Sequence, residues 1–321
     1  MKLRLPLLRA ATMGAALAVL GACVTPAPAP PAAAAAPGAP AALRPWRTLQ
    51  GGFLAPPGAA FGLPARPGTG AFVKLLAPTA IALRGNDLLI ADAGSGRLWR
   101  EDLALNTLTP VAGAPVTPGT AVALGPDLSA WVLDGISRQV LRFARDGRLL
   151  QTWRAAPAAA SVAGFALADG GATLLVVDDS LRQWVEFRGA GGLALPRALP
   201  PDLRGADGLA VAGDTVFVLD KARGVVHALR RDGTTLAVLG ERELKQPQAI
   251  AADRFARVFV VDAADGTVKL LVPGREAQVF GAQALGVQQI GGIAVDERFL
   301  AVSDRVSGAV VIHQLVGEGR P

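Results

Sequence analysis

Six times along the chain an apolar run ends in aspartate, passes through a short turn, and resumes with an apolar residue six positions after the acid. LLIAD ends at Asp92 and leads to Leu98, AWVLD at Asp134 to Val140, and LLVVD at Asp178 to Trp184. VFVLD gives Asp220 and Val226, VFVVD gives Asp262 and Val268, and LAVSD gives Asp304 and Val310. The acids lie 42, 44, 42, 42 and 42 residues apart, a fixed period that signals a repeat architecture. The run before each Asp is apolar without alternation, as in a strand covered on both faces. Upstream lie shorter segments of small residues: TAIAL, TAVAL, GFALA, GLAVA, AIAAD and GIAVD. Small side chains suit strands that converge on an axis. Downstream comes a third strand, such as RLWRED or QVLRF, and in most units a fourth, such as LLQTWR or TLAVLG.

Four antiparallel strands at this period make one propeller blade. The pattern therefore predicts an all-β, six-bladed β-propeller of four-stranded antiparallel blades. The sixth unit stops early: after VVIHQL only VGEGRP remains. WRTLQGG (46–52) reads as an outer strand with no blade of its own. The expectation is that this N-terminal strand completes the last blade and closes the ring, which removes exposed sheet edges.

The repeated (V/L)xV(V/L)D cores, with the apolar residue at the sixth place after Asp, resemble the NHL-repeat family of six-bladed propellers over roughly residues 45–316. That family usually carries Asn three residues after Asp and Arg five after. Here Ser95, Ser137 and Ser307 stand at the Asn place in three units, and Arg97 matches the Arg. Six copies of one acid at one blade position (Asp92, Asp134, Asp178, Asp220, Asp262, Asp304) predict a structural residue whose carboxylate accepts backbone N–H bonds in the following turn. An active site needs different groups in one place.

The N-terminus begins with basic Lys2, Arg4 and Arg9, then an apolar run to Leu20 that is too short to span a bilayer and has the form of an export signal. Leu20-Gly21-Ala22-Cys23 resembles the lipobox of bacterial lipoproteins. The resemblance implies cleavage before Cys23, diacylglycerol on its thiol and acylation of the new amine. Val24 in place of Asp then favours the outer membrane, facing the periplasm. Cys23 is the only cysteine, so no disulfide forms within one chain. Residues 24–44 are nearly all Ala and Pro, which reads as a semi-rigid tether reaching roughly 65 Å at ~3.1 Å per residue. The expected organisation is 1–22 signal peptide, 23–44 lipidated Cys and tether, 45–316 propeller and 317–321 tail.

The formal net charge is +6, and loss of the three basic signal residues leaves about +3. The basic balance is thus partly an export feature, and no nucleic-acid partner is expected. The two histidines, His227 and His313, fall in third strands, expected at aligned places away from the central channel. Six-bladed relatives with zinc lyase activity use several channel histidines, and gluconolactonase-like relatives use a Glu, Asn and Asp set around a channel metal. The only Asn residues, Asn86 and Asn106, fall in turns. The glycine pairs precede no helix, so they do not read as phosphate loops. No metal or other cofactor is expected.

What remains is surface. The turns after the second strands carry Arg97, Arg138, Arg182, Lys221, Arg223 and Arg305 on one face, with Thr79, Thr120, Asp207, Gln248 and Gln289 near the same mouth. A basic rim attracts anionic ligands. The Pro/Gly-rich segment 54–78 carries Phe61, Leu63 and Phe72, expected to dock on the propeller. The functional expectation is a lipid-anchored, monomeric, non-catalytic binding or scaffolding module for envelope proteins. The alternatives are a channel-centred lyase or lactonase, and a binder of envelope polysaccharide or another anionic ligand.

Overall fold

The computed structural model describes residues 42–55, 70–154, 162–189 and 193–316. The expected signal segment, Cys23, the tether up to residue 41, Phe61, Leu63 and the tail 317–321 lie outside the described residues. Within them the chain forms six antiparallel blades, and the one helical element is the 3-10 turn Asp169–Gly171. Blade one runs from the axis outward as Pro78–Arg84, Asp87–Asp92, Arg97–Asp102 and Thr107–Pro110. Blades two to five repeat the plan from inner strands Ala121–Leu124, Val162–Ala168, Ala206–Ala212 and Pro247–Ala252. Blade six supplies Ile290–Val295, Phe299–Asp304 and Val310–Val316. Each inner strand packs beside the next, and that of blade six returns to blade one, so the ring is closed.

The fourth strand of blade six is Ala42–Leu49, antiparallel to Val310–Val316 from Ala42 opposite Val316 to Leu49 opposite Val310. Ring closure by an N-terminal strand follows the expectation, but the strand is shifted. It starts inside the segment expected to be tether and stops at Leu49 rather than running to residue 52. The chain then changes blade. Gly51–Leu54 lies parallel to Thr107–Pro110 on the outer edge of blade one, and Phe72–Lys74 adds antiparallel to it. Gly51 permits the change, since a Cβ there would lie 2.0 Å from the Val73 carbonyl oxygen. Phe72 meets Phe53 edge to face with ring centroids 5.4 Å apart.

The second strands are buried throughout, as their unbroken apolar runs require: no residue of Leu88–Ala91, Val216–Leu219 or Leu300–Val302 is more than 1% exposed. Five of the six inner strands carry a register shift near their start, which bends them toward the axis. They approach so closely that side chains are excluded. A Cβ on Gly164 would stand 2.8 Å from Gly208 Cα, and one on Gly292 2.7 Å from the Thr79 carbonyl oxygen.

Six apolar clusters fill the wedges between successive blades. Among the described residues, five of the loops leading into an inner strand add a plug to the wedge. Leu75 fills the wedge between blades six and one, Val116 that between one and two, and Leu203 that between three and four. Leu244 and Val287 fill the next two. Between blades two and three the connecting segment 155–161 reads AAPAAAS and offers no large side chain.

Candidate functional site

Among the described residues, the repeat aspartates of five blades sew the turn after the second strand to the loop leading into the inner strand. Asp220 accepts backbone N–H bonds from Arg204 and Gly205 at 2.8 and 3.0 Å, and from Ala222 and Arg223 at 3.1 Å each. Asp92 takes Ala77 N–H at 2.7 Å and the Ser95 hydroxyl at 2.7 Å. Asp262 takes Lys245 and Gln246, and Asp304 takes Gln288 and Gln289. Asp134 accepts from the Thr117 hydroxyl, and Asp178 from the Ser180 hydroxyl and Leu181 N–H. Burial pushes the Asp262 and Asp304 carboxyls up, but these hydrogen bonds, with Lys269 and Ser307, hold both below the usual carboxylate range. The arrangement positions the turn face and leaves these acids little capacity for a ligand.

That face carries the six basic residues singled out from the sequence, most of them engaged within the protein. Arg138 donates to the Val162 carbonyl at 3.1 Å, and Arg182 to those of Pro200 and Leu203 at 2.9 and 2.7 Å. Arg223 pairs with Asp202 at 2.6 Å and Lys221 with Asp207. Arg305 lies 3.4 Å from the Gly291 carbonyl oxygen, and Arg97 lies over the Trp99 ring. The Arg138 and Arg182 guanidinium groups fasten one blade's turn to the chain entering the next blade. Arg138 and Arg182 do so from left-handed backbone, φ 56° and 49°, which composition does not reveal.

Between these cations the face exposes large apolar side chains. Val306, Leu76, Ile136 and Leu181 are 58, 52, 73 and 40% exposed on turns or loops of consecutive blades six, one, two and three. The first two adjoin, because a Cβ on Gly308 would meet the carbonyl oxygens of Leu75 and Leu76. Blades four and five present Lys221, Arg223, Lys245 and Asp265 instead, so the face is divided into an apolar and a charged half.

A second feature breaks the repeat symmetry. Between blades two and three lies a cavity of ≈ 250 Å³. Val140 and Trp153 form one wall and Val185 and Phe187 the other, with Arg138 and Gln183 also lining it. Trp153 is held by stacking on Trp131, ring centroids 4.7 Å apart. At the matching places in blade four, Val225, His227 and Leu229 are buried, whereas Gln183, Val185 and Phe187 are half-exposed. The sequence signal was available in AAPAAAS, the one incoming segment without Leu or Val at the plug position.

The histidines are not aligned. His227 stands seven residues after Asp220 and His313 nine after Asp304, one step further along the strand. Both are buried, which lowers their pKa. His313 Nε2 lies 3.1 Å from the Leu285 carbonyl oxygen, and His227 Nε2 lies 3.6 Å from Asp220. Other buried ionisable groups pair within and between blades. Lys269 donates to Asp262 within blade five at 2.6 Å, and Glu186 of blade three accepts from Arg231 of blade four at 2.5 Å. No group of three or more His, Cys, Asp or Glu with metal-site geometry occurs among the described residues.

The chain is a six-bladed β-propeller with a divided turn face and a cleft between blades two and three. Solved structures share the fold at low identity. Virginiamycin B lyase from Staphylococcus aureus is 10% identical, with a TM-score of 0.54 over 75% of this chain and 96% of that one. A protein of unknown function from Bacteroides thetaiotaomicron is 15% identical, with a TM-score of 0.56 over 84% of this chain and 77% of that one. The Cps50 (Swd1) propeller domain of Myceliophteria thermophila is 11% identical, with a TM-score of 0.55 over 76% of this chain and 98% of that one. No protein-family model and no curated protein matches the chain. Identity at this level speaks to the fold alone.

Proposed function

We propose that this protein is a non-catalytic binding or scaffolding propeller of the NHL-repeat type, held in the bacterial cell envelope by a lipid on Cys23. Its partner is an envelope protein that seats on the apolar half of the turn face. The observation that carries this reading is the run of exposed Val306, Leu76, Ile136 and Leu181 on four consecutive blades, framed by arginines already bonded to carbonyl groups. Apolar side chains ringed by polar groups mark protein contacts, and desolvated apolar anchors carry most of the energy of such interfaces. The lipobox-like Leu20–Cys23 and the Ala/Pro segment after it support an exported, tethered module.

The test has two arms. A photo-crosslinking residue at Ile136 should capture one defined envelope protein in cells, and the same residue at Leu236, on an outer strand, should not. Equal yields at both positions overturn the proposed face. Cys23→Ser should abolish incorporation of labelled fatty acid, and retained labelling overturns the anchor.

A further inference from the structure

We propose that the cleft between blades two and three is a binding site for a small, uncharged one-ring compound carrying a carbonyl-type hydrogen-bond acceptor. The site is distinct from the turn-face partner surface and does not depend on it. Its origin is visible in the chain. Other wedges receive a Leu or Val plug, whereas the segment entering blade three supplies only Ala, Pro and Ser. The side chains that a plug would cover are left half-exposed: Gln183, Val185 and Phe187. An empty apolar cavity of about 150 Å³ takes up benzene. The ≈ 250 Å³ of this cleft therefore holds a ring and a short substituent.

Two aromatic walls, Trp153 and Phe187, select a flat ligand. The polar groups select its substituent. Arg138 spends one guanidinium nitrogen on the Val162 carbonyl. The Gln183 side chain has no hydrogen bond among the described residues, so both side chains offer donors to the cleft. Asp178 also lines it and balances the charge of Arg138, while its carboxylate is held by Ser180 and Leu181. Donors from Arg138 and Gln183, with the opposite charges of Arg138 and Asp178 on one lining, favour a neutral acceptor over either an anion or a cation.

The experiment uses the mature chain labelled with 5-fluorotryptophan and followed by fluorine NMR, with the Trp153 signal assigned from Trp153→Phe. Benzamide is the probe, and benzoate and benzylamine are its charged counterparts. The expected result is a saturable shift of the Trp153 signal by benzamide, with a dissociation constant on the order of 1 mM for so small a ligand. Binding of both charged compounds should be at least several-fold weaker. Ala194→Phe places a ring in the cleft from an exposed outer-strand position and should weaken benzamide about tenfold or more without changing thermal unfolding. Arg138→Gly keeps the left-handed backbone and should weaken benzamide while leaving toluene unaffected. Absence of a saturable shift, a shift indifferent to Ala194→Phe, or tighter binding of benzoate overturns the proposal.

Discussion

Glu101 offers a sharp test of how the blades are packed. It sits in the third strand of blade one, 1% exposed, and neither carboxylate oxygen has a hydrogen-bond partner. A Cβ on Gly52 would lie 2.5 Å from its Oε2, so the extra strand on blade one closes over it. Burial pushes its carboxyl up to about 8; Arg47 opposes the rise and Asp102 adds to it. In the unfolded chain the group titrates near 4.5. Between those pH values the folded protein holds a proton that the unfolded chain has released. Stability therefore falls by about 1.4 kcal/mol for each unit of rising pH. The loss is about 3 kcal/mol by pH 7 and levels off near 5 kcal/mol above pH 8. Glu101→Gln removes the titration and keeps the shape. Urea unfolding of both proteins from pH 4 to 9 should show the variant's advantage growing along that slope and flattening above pH 8. Any constant cost of burying the amide cancels in the slope. A gap between the two proteins that does not change with pH refutes the reasoning.

Asp220→Asn removes acceptor capacity for four backbone N–H groups and should cost about 2–4 kcal/mol, read as a lower urea midpoint; unchanged stability would show that the clamp is idle. Arg231→Met strips buried Glu186 of its shortest bond. Burial pushes that carboxyl up, yet Arg231 and Arg188 hold it below its ordinary range, so the pair's contribution is present above about pH 4.5 and fades as pH falls. The variant should lose about 2–4 kcal/mol at pH 7 and much less at pH 3, and an equal loss at both pH values counts against the assignment. Gly164→Val drives a branched side chain into Gly208 and should cost more than about 3 kcal/mol or prevent folding, while soluble, native-like protein by circular dichroism would show that the axis has slack.

The blades were legible because each second strand is covered on both faces, and that demand leaves unbroken apolar runs ending in Asp. The clamp was half legible. A repeated acid implies turn N–H groups, but the bonds to the preceding loop, such as Arg204 and Gly205 to Asp220, join residues 16 and 15 positions apart across a strand hairpin. The closing strand was found yet misplaced, because Ala42, Leu43 and Arg44 continue the Ala/Pro composition before them and only pairing with Val316, Leu315 and Gln314 makes them strand. The strands Gly51–Leu54 and Phe72–Lys74 were hidden by glycine and proline around them, with Phe53, Leu54, Phe72 and Val73 as the sole apolar signal. For the turn face, the positions of the cations were readable but their tasks were not. Whether Arg138 meets solvent or the Val162 carbonyl depends on a positive φ and on the next blade's path. The cleft was within reach of the sequence, as a unit lacking the Leu or Val that the others place before the inner strand.

The pairing of Ala42–Leu49 with Val310–Val316 fixes an order of events. Synthesis delivers the closing strand Ala42–Leu49 before the other strands of the ring, yet its partner Val310–Val316 is the last strand of the ring to be made. The earliest-made strand must therefore wait, unpaired, while five sheets form behind it. A chain cut short before Val310 would leave two raw edges, one at each end of an open arc, and each could template association with another copy. The same neighbourhood of the two ends makes the molecule a candidate for circular permutation. Joined through a short linker beyond Val316 and reopened at the turn after Asp232, it should assemble without waiting.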